Sequence, residues 1–277
     1  MGGPQTHLLG ALTVMLLRRR IPEEPTSRLA IWARRLAFFA LTVAALAAIV
    51  VRLDFIEILP GLATFGGAIG IAVVAMLFAF GAFVVIWQEG HKGFGQALLA
   101  FLIGIGLIAY PAWLGVKMYQ LPPLNDITTD VTDPPRFELI ARLRPREANP
   151  AAYAGLAAAE VQRATYPSIA PLETATGPRE LFEATLAVVN KRKWLVLDAR
   201  APQPRREGRI EAVARTAIMG FRDDVAIRIR PIAGGARLDI RSASRYGRHD
   251  FGTNAKRVVS LIEDIEEAVA PQPETTR

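Results

Sequence analysis

The hydrophobic positions divide the chain into an apolar first part and a mixed second part. Three runs contain no charged residue, 36–51, 61–87 and 97–116, and the first reaches Leu53 if the Arg52 side chain extends to the interface. As helices with a rise of about 1.5 Å per residue, these runs are long enough to cross a hydrocarbon core of about 30 Å. The pattern therefore predicts an anchor of three transmembrane helices within residues 36–116.

The composition changes at residue 117. The segment 121–137, "LPPLNDITTDVTDPPRF", holds four prolines and three aspartates, so we assign 117–149 to a Pro-rich linker or leader. Residues 150–270 then alternate in ways typical of helices and strands, and 271–277 form a tail. Helices are predicted at 149–167, 176–193 and 254–269, and strands at 194–200, 209–216, 224–230 and 236–243.

Consecutive strands on short connections favour an antiparallel meander, so the predicted fold class is α+β, with a four-stranded antiparallel sheet and helices packed on one face. The turn "PIAGG" (231–235) joins the last two strands. Matching their apolar faces requires paired positions to sum to an odd number, either 467 or 465. The first register sets Arg228 opposite Asp239, and the second sets Asp224 opposite Arg241. Either one provides an opposite-charge pair on the outer face.

Charge near the predicted helix ends indicates the orientation of the chain in the membrane. Residues 1–35 and the second loop carry seven Lys and Arg, against three in the first loop and after the third helix. This asymmetry predicts a cytoplasmic N-terminal segment and a periplasmic C-terminal domain on a bacterial inner membrane. The run 8–17 precedes three arginines, which is the reverse of a cleavable signal peptide, and it is compatible with a position on the membrane surface.

Composition excludes several function classes. The chain has no cysteine, so it has no thiolate nucleophile and no Cys-type metal site. The three apolar runs contain no ionisable residue of the kind that transporters and pumps place in the bilayer. The overall charge is +7, yet residues 117–277 interleave 25 basic with 21 acidic side chains and lack an aromatic stacking series. We therefore expect no nucleic-acid partner.

A basic stretch, "DIRSASRYGRHDFGTNAKR" (239–257), holds the candidate functional residues. Arginine guanidinium groups with neutral serine and asparagine donors suit a phosphate or carboxylate ligand, above all beside a helix N-terminus. The other interpretation, which we favour for this stretch, is a buried Arg–Asp lattice that pins the last strand to the last helix, with Arg245 paired to a carboxylate such as Asp223 or Asp250. The candidate binding residues are Glu211, Asp223, Asp224, Arg241, Ser242, Ser244, Arg245, Asp250, Asn254 and Arg257.

The side chains of this stretch would suit two kinds of chemistry. Ser242 or Ser244 could serve as a nucleophile, with His249 as the only histidine of the second part. The carboxylates Glu211, Asp223, Asp224 and Asp250 could hold a divalent cation, but the equally dense arginines compete for the same oxygens. We therefore predict neither a metal nor a cofactor.

Three segments carry a family resemblance. "GRIEAVARTAIMGFRDDVAIRIRP" (208–231) and the basic stretch resemble the domain of unknown function 1499 family, as does the leader "NDITTDVTDPPRF". The likeness covers roughly residues 121–269 and includes Gly220, Phe221, Gly247 and Gly252 besides most of the candidates above. It implies a membrane-attached or exported bacterial protein and no established activity.

The leading hypothesis is thus an integral membrane protein whose periplasmic domain binds a protein partner or an anionic envelope component. An envelope hydrolase or transferase that uses the Ser, Asp and Arg side chains is the alternative, and a purely structural subunit is a third.

Overall fold

The structure is a computed structural model that describes residues 24–270. The predicted surface run 8–17 and the tail 271–277 lie outside these residues. The described chain forms two compact units. The first comprises residues up to 44 together with 66–108, and the second comprises 45–65 together with the chain from 109 onward.

Three long helices occupy the apolar part of the chain: α1 (Arg28–Arg52), α2 (Ile58–Glu89) and α3 (Phe94–Gln120). The most apolar windows of the three have mean hydropathies of 2.0, 2.8 and 2.1, so each helix is long and apolar enough to cross a membrane. The prediction of three long apolar helices is confirmed. In the first unit, alanines such as Ala33, Ala79 and Ala97 are buried at the helix contacts, because small side chains let helix backbones approach closely.

The second unit contains a six-stranded antiparallel sheet and four further helices. The strands are β1 (Asp126–Thr128), β2 (Leu172–Thr174), β3 (Leu195–Arg200), β4 (Gly208–Arg215), β5 (Arg222–Ile232) and β6 (Gly235–Ser244). The helices are α4 (Leu139–Leu143), α5 (Leu156–Thr165), α6 (Pro178–Lys191) and α7 (Thr253–Val269). The four predicted strands and the helices α6 and α7 agree with the structure to within two residues at each end.

The sheet order is β1-β6-β5-β4-β3, and β2 also pairs with β6. The predicted four-stranded sheet is therefore too small, because β1 and β2 share the outer edge of β6. Each of these two strands has only three residues, which is too short to show an alternating pattern in the sequence. In the β5–β6 hairpin Arg228 lies opposite Asp239, so the register with a sum of 467 is the observed one.

The two faces of the sheet differ in composition and in what covers them. The first, which we call the helix-covered face, packs apolar side chains such as Ile210, Ile227 and Ile240 against α6 and α7. The other, which we call the opposite face, carries mostly charged side chains. It also holds a small apolar cluster in which Phe137 and Ile140 pack on Val213, Ala226 and Ala243. The segment that follows β1, including α4, thus covers the opposite face, whereas the longer helices share one face as predicted.

Candidate functional site

Successive side chains of β6 point to alternate faces of the sheet, so the candidate residues are divided between the two faces. Ser242 lies opposite Val225, and Ser244 lies opposite Asp223, on the helix-covered face. Arg241 lies opposite Ala226 on the opposite face. Neighbouring strand residues point to opposite sides, so side chains adjacent in the sequence cannot share one site. The stretch that reads as one basic motif therefore forms two separate polar clusters.

The first cluster, which we call the serine–asparagine cluster, consists of Asp223, Ser242, Ser244, Asn254 and Arg257. The Ser242 hydroxyl donates to Asn254 Oδ1 at 2.7 Å, and Asn254 Nδ2 donates to the Ser244 hydroxyl at 2.9 Å. Arg257 Nη1 donates to Ser242 Oγ at 2.9 Å and to Asn254 Oδ1 at 2.6 Å. Its other terminal nitrogen pairs with the buried carboxylate of Asp223. The polar groups of the cluster satisfy one another.

Asp250 caps the N-terminus of helix α7, next to the serine–asparagine cluster. Its two carboxylate oxygens accept the backbone N–H groups of Gly252 and Asn254, both at 2.9 Å. A carboxylate at this position accepts hydrogen bonds from N–H groups that have no partner within the helix. Its negative charge also interacts favourably with the positive end of the helix dipole. Burial raises the pKa of Asp250 above its ordinary value of 3.8, although these hydrogen bonds partly counter the effect.

The position of Arg257, the fifth residue of α7, is explained by its partner. A cation there is disfavoured by the helix dipole. In the folded chain Arg257 forms an ion pair with the buried Asp223 of strand β5. The negative group that stabilises a cation near the N-terminus of α7 is thus supplied within the domain.

The second cluster, which we call the arginine lattice, lies on the opposite face and consists of Asp126, Arg144, Asp224, Arg241 and Arg245. Arg241 binds both carboxylate oxygens of Asp126, with Nη2 at 2.6 Å from Oδ2 and Nε at 3.0 Å from Oδ1. The backbone carbonyls of Pro135 and Ala151 accept two further N–H groups. Five donors in a planar fork allow one fully buried guanidinium to satisfy all of these partners.

Aromatic rings complete the surroundings of Arg241. The ring of Phe137 lies 4.5 Å from its guanidinium carbon, and the ring of Tyr153 lies 5.5 Å away. Both distances permit cation–π attraction. Burial and the neighbouring Asp126 raise the pKa of Tyr153 to about 12, so its hydroxyl is protonated at neutral pH.

Arg245 pairs with Asp224 in this lattice. Its Nε and Nη2 donate to Asp224 Oδ1 at 2.9 and 2.8 Å. Arg144 Nε donates to the other oxygen of the same carboxylate at 2.7 Å. The sequence suggested Asp223 or Asp250 as a partner of Arg245, but both of these carboxylates act at the start of α7 on the helix-covered side. Asp224 is the available partner because it is the β5 residue that points to the opposite face.

Glu211, the remaining candidate, also has a structural partner. Its fully buried carboxylate accepts the backbone N–H of Glu138 at 2.6 Å and that of Ile140 at 2.8 Å, at the start of α4. The contact fixes the segment that covers the opposite face onto β4. Within residues 24–270, no three His, Cys, Asp or Glu side chains form a group that could hold a metal ion.

The sequence interpretation missed several charged residues that belong to these networks. Asp126 lies in the leader, 115 residues before Arg241, and Arg144 follows α4. A further group at the β5–β6 hairpin joins leader aspartates to strand arginines around the buried Asp239, namely Asp130, Asp133, Arg228, Arg230 and Arg237. The available signal was charge complementarity between a leader with three aspartates and a hairpin rich in arginine.

The geometry offers no activated nucleophile among the candidates. The Ser242 proton is held by an amide oxygen, and Ser244 receives a hydrogen bond from the Asn254 amide. His249 lies with Nε2 at 2.9 Å from the Leu121 carbonyl oxygen, and its Nδ1 accepts the Phe251 N–H at 2.9 Å. Both ring nitrogens are therefore occupied by backbone groups. A general base needs a free nitrogen within reach of the hydroxyl proton.

A shallow groove is lined by residues that belong to neither cluster. It has a volume of about 300 Å³ and is lined by residues that include Thr129, Gln162, Arg163, Tyr166 and Ile169. The buried Gln162 amide accepts from Thr128 N at 3.1 Å and donates to Thr128 O at 2.6 Å. This side chain closes the outer edge of β1 in the way that a further strand would. Arg163 is exposed beside it.

Comparison with known proteins agrees with the resemblance noted in the sequence. No curated protein is significantly similar to the chain. Residues 126–265 match the family described as protein of unknown function (DUF1499). This match begins at the lattice residue Asp126 and ends at Ile265 in α7, so it includes both polar clusters and all six strands. The chain belongs to the DUF1499 family.

Proposed function

We propose that this chain is a non-enzymatic protein of the bacterial inner membrane whose α+β domain lies in the periplasm and binds a protein partner or an anionic envelope component. Helices α1–α3 serve as its anchor. The uncharged runs 61–87 and 97–116 provide no ionisable group for moving a substrate or proton across the bilayer. An anchoring role agrees with that composition.

The proposed orientation rests on the basic residues at one end of the first unit. Lys92 O accepts the Ser27 N–H at 2.9 Å, and Lys92 N donates to Pro25 O at 3.1 Å. These bonds bring the loop between α2 and α3 next to the beginning of α1. Arg28 and Lys92 are therefore neighbours at one end, and an excess of Lys and Arg favours the cytoplasmic side.

One observation carries the non-enzymatic part of the proposal: Ser242 is completely buried, and its hydroxyl is saturated by Asn254 and Arg257. A substrate could reach this oxygen only by breaking the network that joins β5, β6 and α7. Arg144, Arg241 and Arg245 of the arginine lattice are likewise buried against aspartates. Both clusters thus act as the frame of the domain, and binding would use its outer surface.

The groove beside α5 is the candidate binding surface. It combines the exposed cation of Arg163 with the partly buried rings and aliphatic groups of Tyr166 and Ile169. Sites that hold a partner segment or small ligand are concave and largely apolar, with a few polar groups that fix orientation. A guanidinium at the rim suits a carboxylate or phosphate of the partner.

The test combines serine reactivity, measured on the full-length protein in nanodiscs, with complementation of a strain that lacks the protein. A fluorophosphonate probe, which forms a covalent bond with activated serines, is expected to leave Ser242 and Ser244 unmodified. In a strain that lacks the protein, Ser244→Ala should reverse the growth or envelope defect of the deletion as the wild type does, whereas Arg163→Glu should not. Arg179→Glu, on the exposed surface of α6, is the control for reversing one surface charge. Protein levels are compared by immunoblot.

Two results would contradict the proposal. Covalent labelling of Ser242 or Ser244 would support the hydrolase or transferase alternative. Loss of function in Ser244→Ala at normal protein level, with Arg163→Glu fully active, would assign the function to the serine–asparagine cluster instead of the groove.

A further inference from the structure

The connection between β4 and β5 is fastened to the loop between α1 and α2. Arg52, the last residue of α1, donates from Nη1 to the carbonyl oxygens of Thr216 and Ala217, at 3.3 and 2.5 Å. Gly220 closes the connection with a φ of +70°, and a Cβ at this position would lie 3.3 Å from Arg52 Cα. Glycine is therefore favoured at this position, because it adopts a positive φ without strain and has no Cβ that would crowd Arg52.

Asp54 provides a second link between the same two segments. Its carboxylate lies 2.6 Å from Arg215 Nη2 and 2.8 Å from Arg222 Nη2. Arg215 and Arg222 are directly opposite each other in the β4–β5 pair, where like charges are unfavourable. The carboxylate of Asp54 in the α1–α2 loop reduces the repulsion between these two arginines. The two segments are therefore complementary in charge.

Apolar side chains are exposed around this contact. Ile218, at the tip of the β4–β5 connection, is 48% exposed, and Leu53 and Phe55 of the α1–α2 loop are exposed beside Arg52. Arg52 ends an apolar helix, so its guanidinium is expected at the level where the hydrocarbon core meets the headgroups. Whatever is fastened to Arg52 lies at the same level.

We propose that the β4–β5 connection, residues 216–221, rests in the headgroup region of the bilayer that holds α1–α3, with Ile218 inserted among the lipids. The proposal depends on the anchoring role proposed above. This region carries an excess of positive charge, because Arg52, Arg215 and Arg222 outnumber the two loop carboxylates, Asp54 and Glu57. Guanidinium groups at this depth are suited to lipid phosphates, and an exposed isoleucine is suited to the acyl boundary.

The absence of cysteine in the chain makes a direct test possible, since a single introduced cysteine is the only label site. Ile218→Cys reports on the proposed contact. Ile232→Cys is the matched control: it is also a partly exposed isoleucine, at 36%, and it ends β5 at the far side, about 33 Å from Arg222 along the strand. Leu77→Cys, exposed on α2, reports membrane insertion independently.

Each full-length variant is labelled with an environment-sensitive fluorophore and reconstituted in nanodiscs that contain nitroxide lipids. The nitroxide is placed at the headgroup for the positions 218 and 232, and at the middle of the acyl chain for position 77. We expect quenching at 77 and at 218, with quenching at 218 at least twofold stronger than at 232.

The possible outcomes separate the two proposals. Quenching at 77 with equal quenching at 218 and 232, or none at either, would overturn the interfacial contact and leave the anchor intact. A lack of quenching at 77 would overturn the anchor and with it this inference.

Discussion

Replacing Arg245 by glutamine tests whether the arginine lattice stabilises the domain. Arg245 and Asp224 form a pair whose side chains are 6% and 0% exposed. Removing one partner of a buried ion pair costs about 3–5 kcal/mol, because the other charge remains away from water. Asp224 keeps the hydrogen bond from Arg144 Nε at 2.7 Å, so Arg245→Gln should fall at the lower end, about 3 kcal/mol.

Because Arg144 and Arg245 share the carboxylate of Asp224, replacing Asp224 should destabilise the domain more than replacing Arg245. Asp224→Asn leaves two buried guanidinium groups, those of Arg144 and Arg245, without their anion. Its cost should therefore reach about 5 kcal/mol, at the upper end of the range. Arg179→Gln is the matched control, since its pair with Glu183 is exposed at 83% and 65%. An exposed pair of this kind should change stability by no more than about 0.5 kcal/mol.

Urea unfolding of the isolated domain, followed by circular dichroism, measures these differences. A loss of about 3 kcal/mol corresponds to a midpoint lower by about 1–3 M, for slopes of about 1–3 kcal/mol per molar urea. Unfolding of Arg245→Gln at the wild-type midpoint with an unchanged slope would contradict a stabilising role of Arg245. Nearly neutral removal would mean that Arg245 is a solvated group awaiting an anion.

Three further predictions follow from the same structure. A C-terminal alkaline phosphatase fusion should be active and a C-terminal cytoplasmic reporter dark, as expected from the distribution of Lys and Arg; the reverse pattern would contradict the orientation. A chain beginning at Leu124 keeps β1 and the core of the sheet, so it should be soluble and unfold cooperatively; aggregation would show that its core needs the helices α1–α3. The pKa of Asp250 is raised in the folded state, so protonation favours folding as the pH falls from neutrality toward 3.8. The stability of the wild type relative to Asp250→Asn should therefore rise over this interval in urea titrations, and a difference independent of pH would refute the assignment.

The main elements of the fold could be predicted because each shows a repeated pattern over many residues. The three long helices follow from uncharged runs, and β3–β6, α6 and α7 follow from alternating or helical spacing. The β5–β6 register followed from matching two apolar faces, which left only a choice between two sums. Such patterns are local, and burial of one face is enough to enforce them.

The short strands β1 and β2 and the partners of the arginines were decided by the tertiary structure. Asp126 meets Arg241 only because the leader returns to the outer edge of β6. Arg245 pairs with Asp224 and not with Asp223 because adjacent strand residues face opposite sides. The sequence by itself determined where charge is dense and which elements carry it. Which charges touch depends on strand order and on which face each side chain occupies, and these are properties of the assembled sheet.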